Sequence, residues 1–376
     1  MARGFVGGGR YTFPMQTTLF RSLALLALGA FLAGCGGDDD TANLGYSFAV
    51  LGCNRVGETD VSPEVPSTAN LPQLERSFSE IAARQPPPEI VFFTGDLVVG
   101  FTTDLDELRA ELEAWVEVYR ASDLGRNPAI QLVALPGNHE SLVVEDGQQV
   151  SNPGAEAVWL EVMAPFIAGD NGPGMGGPDQ LESDQSQLTY SFDFRDAHFV
   201  VLNTDPFGAP ATVPLYWIAG DLAVARRDPH VRHIFTLGHK PAFTPPIATP
   251  SNSLDTYPEK RDVFWDLLNG ADTIAYLPAH AHVYYRSQPS SITQPQVVGT
   301  WQIVIGNGGS PVAPRWVQQG FTPYYGYSIV TVTAGGRVLL ETYGRDFDQQ
   351  NYLAPSPPEL YPTTLRDSAD LTERNL

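Results

Sequence analysis

Apolar residues in this chain fall into short continuous blocks, separated by stretches in which they recur every three or four positions. Residues 46–51 form the first block, an apolar, β-rich run that stops at Gly52. Residues 71–83 have helical spacing, Pro86-Pro87-Pro88 ends it, and residues 89–94 read as the next strand. A second helix is predicted over 104–122, with Leu105, Leu108, Leu112, Trp115 and Val116 on one face, followed by a strand over 130–135. A helix over 155–163 precedes a Gly-rich loop, 169–184, and then strands 188–194 and 198–203 read as a hairpin around Arg195-Asp196-Ala197. Helix 215–226, strand 233–237, helix 260–268 and strand 273–277 continue the alternation, and 301–305, 327–332 and 337–343 supply late strands. No internal repeat is present. The pattern predicts a layered α/β domain over residues 46–345, with the polar, Pro-rich stretch 346–376 as a surface tail.

A chain of 376 residues with 43% hydrophobic content is long enough for one large α/β domain. A formal net charge of −21, without a cluster of Lys and Arg, argues against nucleic acid as a partner. Near the start, Arg21 precedes an apolar run, 23–32, that is too short to span a bilayer. Leu32-Ala33-Gly34-Cys35 follows and resembles the lipobox of bacterial lipoproteins. The resemblance implies a signal peptide over 1–34 (with Met15 giving a start of more conventional length), cleavage before Cys35 and lipidation of its thiol. Residues 35–45 then read as a flexible tether, and the protein is expected to be extracytoplasmic and membrane-anchored. With Cys35 lipidated, Cys53 has no intrachain disulfide partner.

Five short segments sit at the ends of β-like runs: Gly52-Cys53-Asn54-Arg55, Gly95-Asp96, Gly137-Asn138-His139-Glu140, Gly238-His239 and His280-Ala281-His282. Four of the seven histidines lie in them. Carboxylate, amide and imidazole groups delivered from several strand ends suit a transition-metal centre. Taken singly, Asp96 reads as a helix cap and Asn138 as a turn residue; the joint pattern is what favours a metal. Gly172-Pro173-Gly174-Met175-Gly176-Gly177 also matches G-x-G-x-x-G, but no strand precedes it and its prolines oppose a following helix, so dinucleotide binding is not expected.

Together these segments resemble the calcineurin-like metallophosphoesterase family, in its extracytoplasmic, purple-acid-phosphatase-like branch. The resemblance implies a four-layer α/β/β/α sandwich of two mixed β-sheets flanked by helices. It implies one or two ions of Zn, Mn or Fe, and hydrolysis of a phosphate monoester or diester in a phosphorylated small molecule. Asp96 would bridge the metals, Asn138, His239 and His280 would complete the second site, and His282 would serve the first. His139 would stay off the metals, contacting the phosphate or protonating the leaving group. Specificity is expected from loops such as 169–184 and 244–257.

The family's first motif is Asp-x-His, and here those positions hold Cys53 and Arg55. A guanidinium cannot replace an imidazole ligand, and at about 4 Å from a divalent ion it would oppose binding by roughly 8 kcal/mol at an effective dielectric of about 20. One reading is a single ion on Asp96, Asn138, His239 and His280, with Arg55 supplying the missing charge to a phosphate oxygen. Another keeps two ions, with Cys53 as an unusual thiolate ligand beside Asp96 and His282. A third is a non-catalytic lipoprotein that binds a phosphorylated or other anionic ligand. Many relatives also carry an Asp three residues after the Gly-Asp aspartate to orient the catalytic His, where this chain has Val99.

Overall fold

The computed structural model describes residues 44–248, 252–291, 293, 295, 296, 299–313, 317 and 322–373. The signal segment, Cys35 and nearly all of the tether expected from the sequence lie outside them. Strands β1 (Leu44–Leu51), β2 (Ile90–Thr94) and β3 (Gln131–Leu135) pair in parallel. Parallel neighbours need a crossover, and helices α1 (Leu71–Ala82) and α2 (Leu105–Ala121) provide it. Asp104 starts α2 by accepting the backbone N–H groups of Asp106 and Glu107.

After β3 come a short helix α3 (Asn138–Ser141), a hairpin of β4 (Leu142–Glu145) and β5 (Gln148–Ser151), and helix α4 (Ala155–Met163). The second half contains β6 (Tyr190–Phe194), β7 (Ala197–Leu202), α5 (Leu215–Ala225), β8 (His233–Gly238), α6 (Pro258–Gly270), β9 (Ala275–Leu277), β10 (Tyr284–Ser287) and β11 (Trp301–Ile305). Strands β12 (Tyr325–Thr333), β13 (Val338–Arg345) and β14 (Thr364–Asp370) then return to the first sheet. The two sheets have the orders β14-β13-β12-β1-β2-β3 and β10-β11-β9-β8-β7-β6.

Burial explains why the central strands read as unbroken apolar runs, because both of their faces are covered. Phe48 and Val50 of β1 point between the sheets, where Phe48 meets Phe92, Phe199 and Phe235 edge-on at 5.0–5.6 Å. Ala49 and Leu51 point the other way, into a core with Phe78, Leu112 and Trp115 of α1 and α2. On the far side, Val200, Leu202 and Tyr276 pack against Leu222, Phe264 and Trp265 of α5 and α6. The architecture is thus helix, sheet, sheet, helix, as the sequence led one to expect. Two mixed β-sheets flanked by helices form it.

One segment departs from expectation. Within the stretch read as a surface tail, Thr364–Asp370 forms β14 and pairs with β13, while Leu371 is buried between the sheets. An edge strand is covered on one side only and tolerates polar residues, so its Thr-Leu-Arg-Asp-Ser-Ala-Asp sequence lacks the apolar signature of the inner strands. The preceding polar turn is also held down, with the Arg76 guanidinium donating to the Tyr361 carbonyl at 2.7 Å. The loop carrying the G-x-G-x-x-G match opens no helix; it is pinned by turn hydrogen bonds and an isolated bridge between Gly176 and Leu181. His198 on β7 is buried between Asp193, at 2.7 Å, and Asp221, at 3.0 Å. Burial lowers its pKa, but the two carboxylates prevail and raise it to about 9. No helix among the described residues is long and apolar enough to cross a membrane.

Candidate metal centre

Parallel strands send their C-terminal ends to one edge, so the segments after β1, β2, β3, β8 and β9 converge there. Backbone hydrogen bonds fuse the first two, from Cys53 N–H to the Gly95 carbonyl at 3.0 Å and from Asn54 N–H to the Asp96 carbonyl at 2.9 Å. The turn at 306–309 closes the other side, with Ser310 N–H donating to the Cys53 carbonyl at 3.0 Å. Three of the ligand-type residues at this edge adopt left-handed φ without being glycine: Cys53 (57°), Asp96 (56°) and His280 (62°). Each such conformation costs on the order of 1 kcal/mol or more, and such strain concentrates at functional sites. Gly95, with φ 85°, is required by close approach as well, because a Cβ there would lie 2.5 Å from His239 Nδ1.

Glu140 holds the Asp96 turn and was given no role by the sequence reading. Its buried carboxylate accepts from the backbone N–H groups of Asp96 (3.1 Å), Leu97 (2.7 Å), Val98 (3.1 Å) and Gly137 (2.7 Å). Burial, with Asp96 beside it, pushes Glu140 up to about 7. Its legible signal was a capping-box position at the third residue of α3.

The second-site residues come together tightly. His239 Nε2 lies 3.1 Å from Asp96 Oδ1 and 2.9 Å from Asn138 Oδ1. His280 Nδ1 lies 2.8 Å from the same Asn138 oxygen and 3.2 Å from His239 Nε2. Ligand bonds of about 2.1 Å place adjacent donors about 3 Å apart, so this spacing suits one transition-metal ion. The hydrogen positions agree. His239 Nδ1 faces the Thr94 carbonyl at 2.8 Å, which can only accept, so Nδ1 carries the hydrogen. In a neutral ring, Nε2 then turns a lone pair toward a carboxylate oxygen and an amide oxygen. Three acceptors facing one another call for a cation, and the carbonyl behind the imidazole is the usual arrangement of a histidine ligand. Without an ion a proton serves instead: burial opposes charge on His239, but Asp96 and the Thr94 carbonyl raise its pKa. Burial likewise would raise Asp96, yet His239, with the Arg55 charge nearby, holds its carboxyl well below the usual range.

The first-site residues also gather around Asp96. Cys53, Asp96 and His282 offer ligand atoms all within 4.8 Å of one another, as do Asp96, His239 and His280. His282 Nδ1 donates to the Pro311 carbonyl at 2.7 Å, leaving Nε2 toward Asp96 Oδ2 at 4.0 Å. The set is looser than the second. Cys53 is also satisfied as a thiol: it donates to Asp96 Oδ2 at 3.7 Å and accepts the His280 N–H at 3.1 Å. Burial and the Asp96 charge push that thiol well above its usual range.

Arg55 does not turn away from this edge. It lines the same cleft, where one guanidinium nitrogen donates to the Val56 carbonyl at 3.0 Å and Nε is buried without a hydrogen-bond partner among the described residues. Burial and Arg55 together bring His282 down to about 4. They also hold His139 well below the usual imidazole range. The absence of an Asp at Val99 is made good by the main chain, since His139 Nδ1 donates to the Val99 carbonyl at 2.5 Å. Sequence motifs describe side chains, so this substitution was invisible beforehand.

These groups open into a cleft of about 420 Å³, lined also by Phe101, Gln149, Thr244, Ala248 and Ser253. Thr244, Ala248 and Ser253 thus bring the 244–257 stretch to the cleft, whereas no described residue of 169–184 lines it. Lipidation at Cys35 falls outside the described residues.

No protein-family model matches the chain, and no curated protein matches it. Among solved structures, it is similar to purple acid phosphatase PPD1 from yellow lupin (Lupinus luteus) seeds, with 15% identity and a TM-score of 0.54 over 86% of this chain and 53% of that one. It is also similar to PhoD, with 16% identity and a TM-score of 0.58 over 88% of this chain and 71% of that one. The chain thus spans about half the length of the lupin phosphatase. At such identities the likeness concerns the fold. The chain has a calcineurin-like metallophosphoesterase fold, with two partial metal-ligand clusters that share Asp96.

Proposed function

We propose that this protein hydrolyses a phosphate monoester or diester of a small molecule, using one transition-metal ion (Zn, Mn or Fe) held by Asp96, Asn138, His239 and His280. The observation that carries this reading is the set of ligand-type atoms 2.8–3.2 Å apart in the cleft that also contains Arg55. When bound, such an ion supplies a hydroxide-generating Lewis acid and neutralises phosphate charge.

The remaining work falls to the chain. Arg55 offers its unpartnered Nε–H to a non-bridging phosphate oxygen, a charge-assisted bond that also relieves a buried, unsatisfied donor. His139, with Nδ1 committed to Val99, has Nε2 for the phosphate or leaving-group oxygen. Burial and Arg55 keep the resting imidazole neutral, so delivery of a proton from it depends on the negative charge that the substrate brings. The grouping of Cys53 with Asp96 and His282 supports a second reading, in which two ions bind and Cys53 is a thiolate ligand. Arg55 and the satisfied thiol favour the single ion.

The test is hydrolysis of p-nitrophenyl phosphate and bis-p-nitrophenyl phosphate by the metal-free protein and after addition of Zn, Mn or Fe. Turnover is expected with at least one metal and is expected to be lost in Asn138→Ala. No turnover with any metal would favour the non-catalytic, anion-binding lipoprotein instead. The Leu32–Cys35 sequence supports lipidation at Cys35 and an extracytoplasmic, membrane-anchored protein. Labelled palmitate is expected to enter the wild-type chain in bacterial cells and not Cys35→Ser; equal labelling of both would refute the anchor.

A further inference from the structure

Glu111 is a buried carboxylate on the face of α2 that otherwise carries Leu108, Leu112 and Trp115. It is 7% exposed, and no Lys or Arg pairs with it among the described residues. Burying an unpaired carboxylate costs several kcal/mol, which a Gln at the same place would avoid while still accepting a hydrogen bond. The carboxylate is aimed at one peptide unit. Its Oε2 accepts the Gly100 N–H at 2.9 Å, and on the other side of that same amide the Val99 carbonyl accepts from His139 Nδ1 at 2.5 Å. The peptide unit before it is held as well: the Thr68 hydroxyl faces Glu111 and accepts the Val99 N–H at 2.7 Å, on the Val98–Val99 amide.

We infer that Glu111 is a positioning residue for His139, acting through the Val99–Gly100 amide. Negative charge on the N–H side of a peptide polarises it and strengthens its carbonyl as an acceptor. The result is a fixed imidazole plane, a hydrogen held on Nδ1, and Nε2 reserved for the cleft. The geometry allows little slack. Gly100 has φ 51°, and a Cβ there would overlap the His139 carbonyl. Phe101 N–H donates to that carbonyl at 3.0 Å, and the Phe101 ring lies 3.8 Å from the imidazole. The chain from 99 to 101 therefore grips His139 at three points, and Glu111 is the charge behind the grip. Burial raises the Glu111 carboxyl to about 7, so it is largely ionised at pH 8, where the test is made.

The kinetic consequence rests on the phosphoesterase reading, so the experiment has two arms. In the first, the full chain loaded with Zn and labelled with 15N-histidine is compared with Glu111→Gln at pH 8. The His139 Nδ1 proton, assigned by its loss in His139→Gln, is expected to move upfield as its hydrogen bond weakens. Glu111→Asp, which keeps the charge but draws it back from the Gly100 N–H, is expected to shift it in the same sense and serves if Glu111→Gln does not fold. An unmoved His139 signal in a folded Glu111→Gln or Glu111→Asp protein would overturn the inference. In the second arm, Glu111→Gln is expected to lower kcat for p-nitrophenyl phosphate about tenfold in the wild-type background but not in the His139→Gln background. Equal losses in both backgrounds would mean that Glu111 acts only on the fold, and the inference would fail. If the wild-type protein shows no turnover, the phosphoesterase reading falls and the spectroscopic arm decides the inference.

Discussion

Asp96→Asn is expected to lower turnover of p-nitrophenyl phosphate by about a thousandfold, roughly 4 kcal/mol in the barrier, and to strip the bound ion. Asp96 belongs to both ligand clusters, with Oδ1 3.1 Å from His239 Nε2 and Oδ2 toward Cys53 at 3.7 Å and His282 at 4.0 Å. An amide keeps the shape but loses the charge and one of the two acceptor oxygens. It also turns an NH2 group toward one of the sites. The backbone should accept the change, because Asn tolerates the left-handed conformation that Asp96 occupies at φ 56°. The loss would thus be one of chemistry, checked by steady-state kinetics alongside a thermal melt. A well-folded Asp96→Asn variant that kept its metal and its rate within tenfold would contradict the ligand assignment.

Arg55→Ala is expected to act with opposite signs on two observables. kcat/KM for the phosphate ester should fall about a hundredfold, matching the loss of a charge-assisted contact of roughly 2–3 kcal/mol. Metal affinity should be unchanged or higher, because removing the guanidinium relieves repulsion near Cys53, Asp96 and His282. That guanidinium lies close enough to help hold both His139 and His282 low. Kinetics and titration with Zn on the same preparations separate these effects. If Arg55 only excludes a second ion, activity would rise on its removal, and the phosphate-binding role would be wrong.

Much of the architecture was legible because the inner strands are covered on both faces. Residues 46–51 and 90–94 are almost wholly apolar for that reason, and each ends abruptly at a glycine that the site requires. The site residues were legible as a constellation, since Asp96, Asn138, His239 and His280 each follow a strand that ends on the same edge. What escaped was held by main-chain groups or by weak patterns. The β4–β5 hairpin and β14 are short or at an edge and carry no strong alternation. Val99 reads as a missing carboxylate, and only the fold shows its carbonyl in that place. Glu111 sits in a helical apolar stripe, where a single Glu is easily passed over, although a buried carboxylate among Leu and Trp was the signal to follow.

The most direct test of the metal assignment is anomalous diffraction from crystals of the full protein at the Zn, Fe and Mn edges. One strong peak bonded to Asp96, Asn138, His239 and His280, with little or none between Cys53 and His282, is the predicted result. Full occupancy between Cys53 and His282 would overturn the single-ion account. No peak at the four-ligand set, in crystals grown with all three metals present, would contradict the metal centre itself.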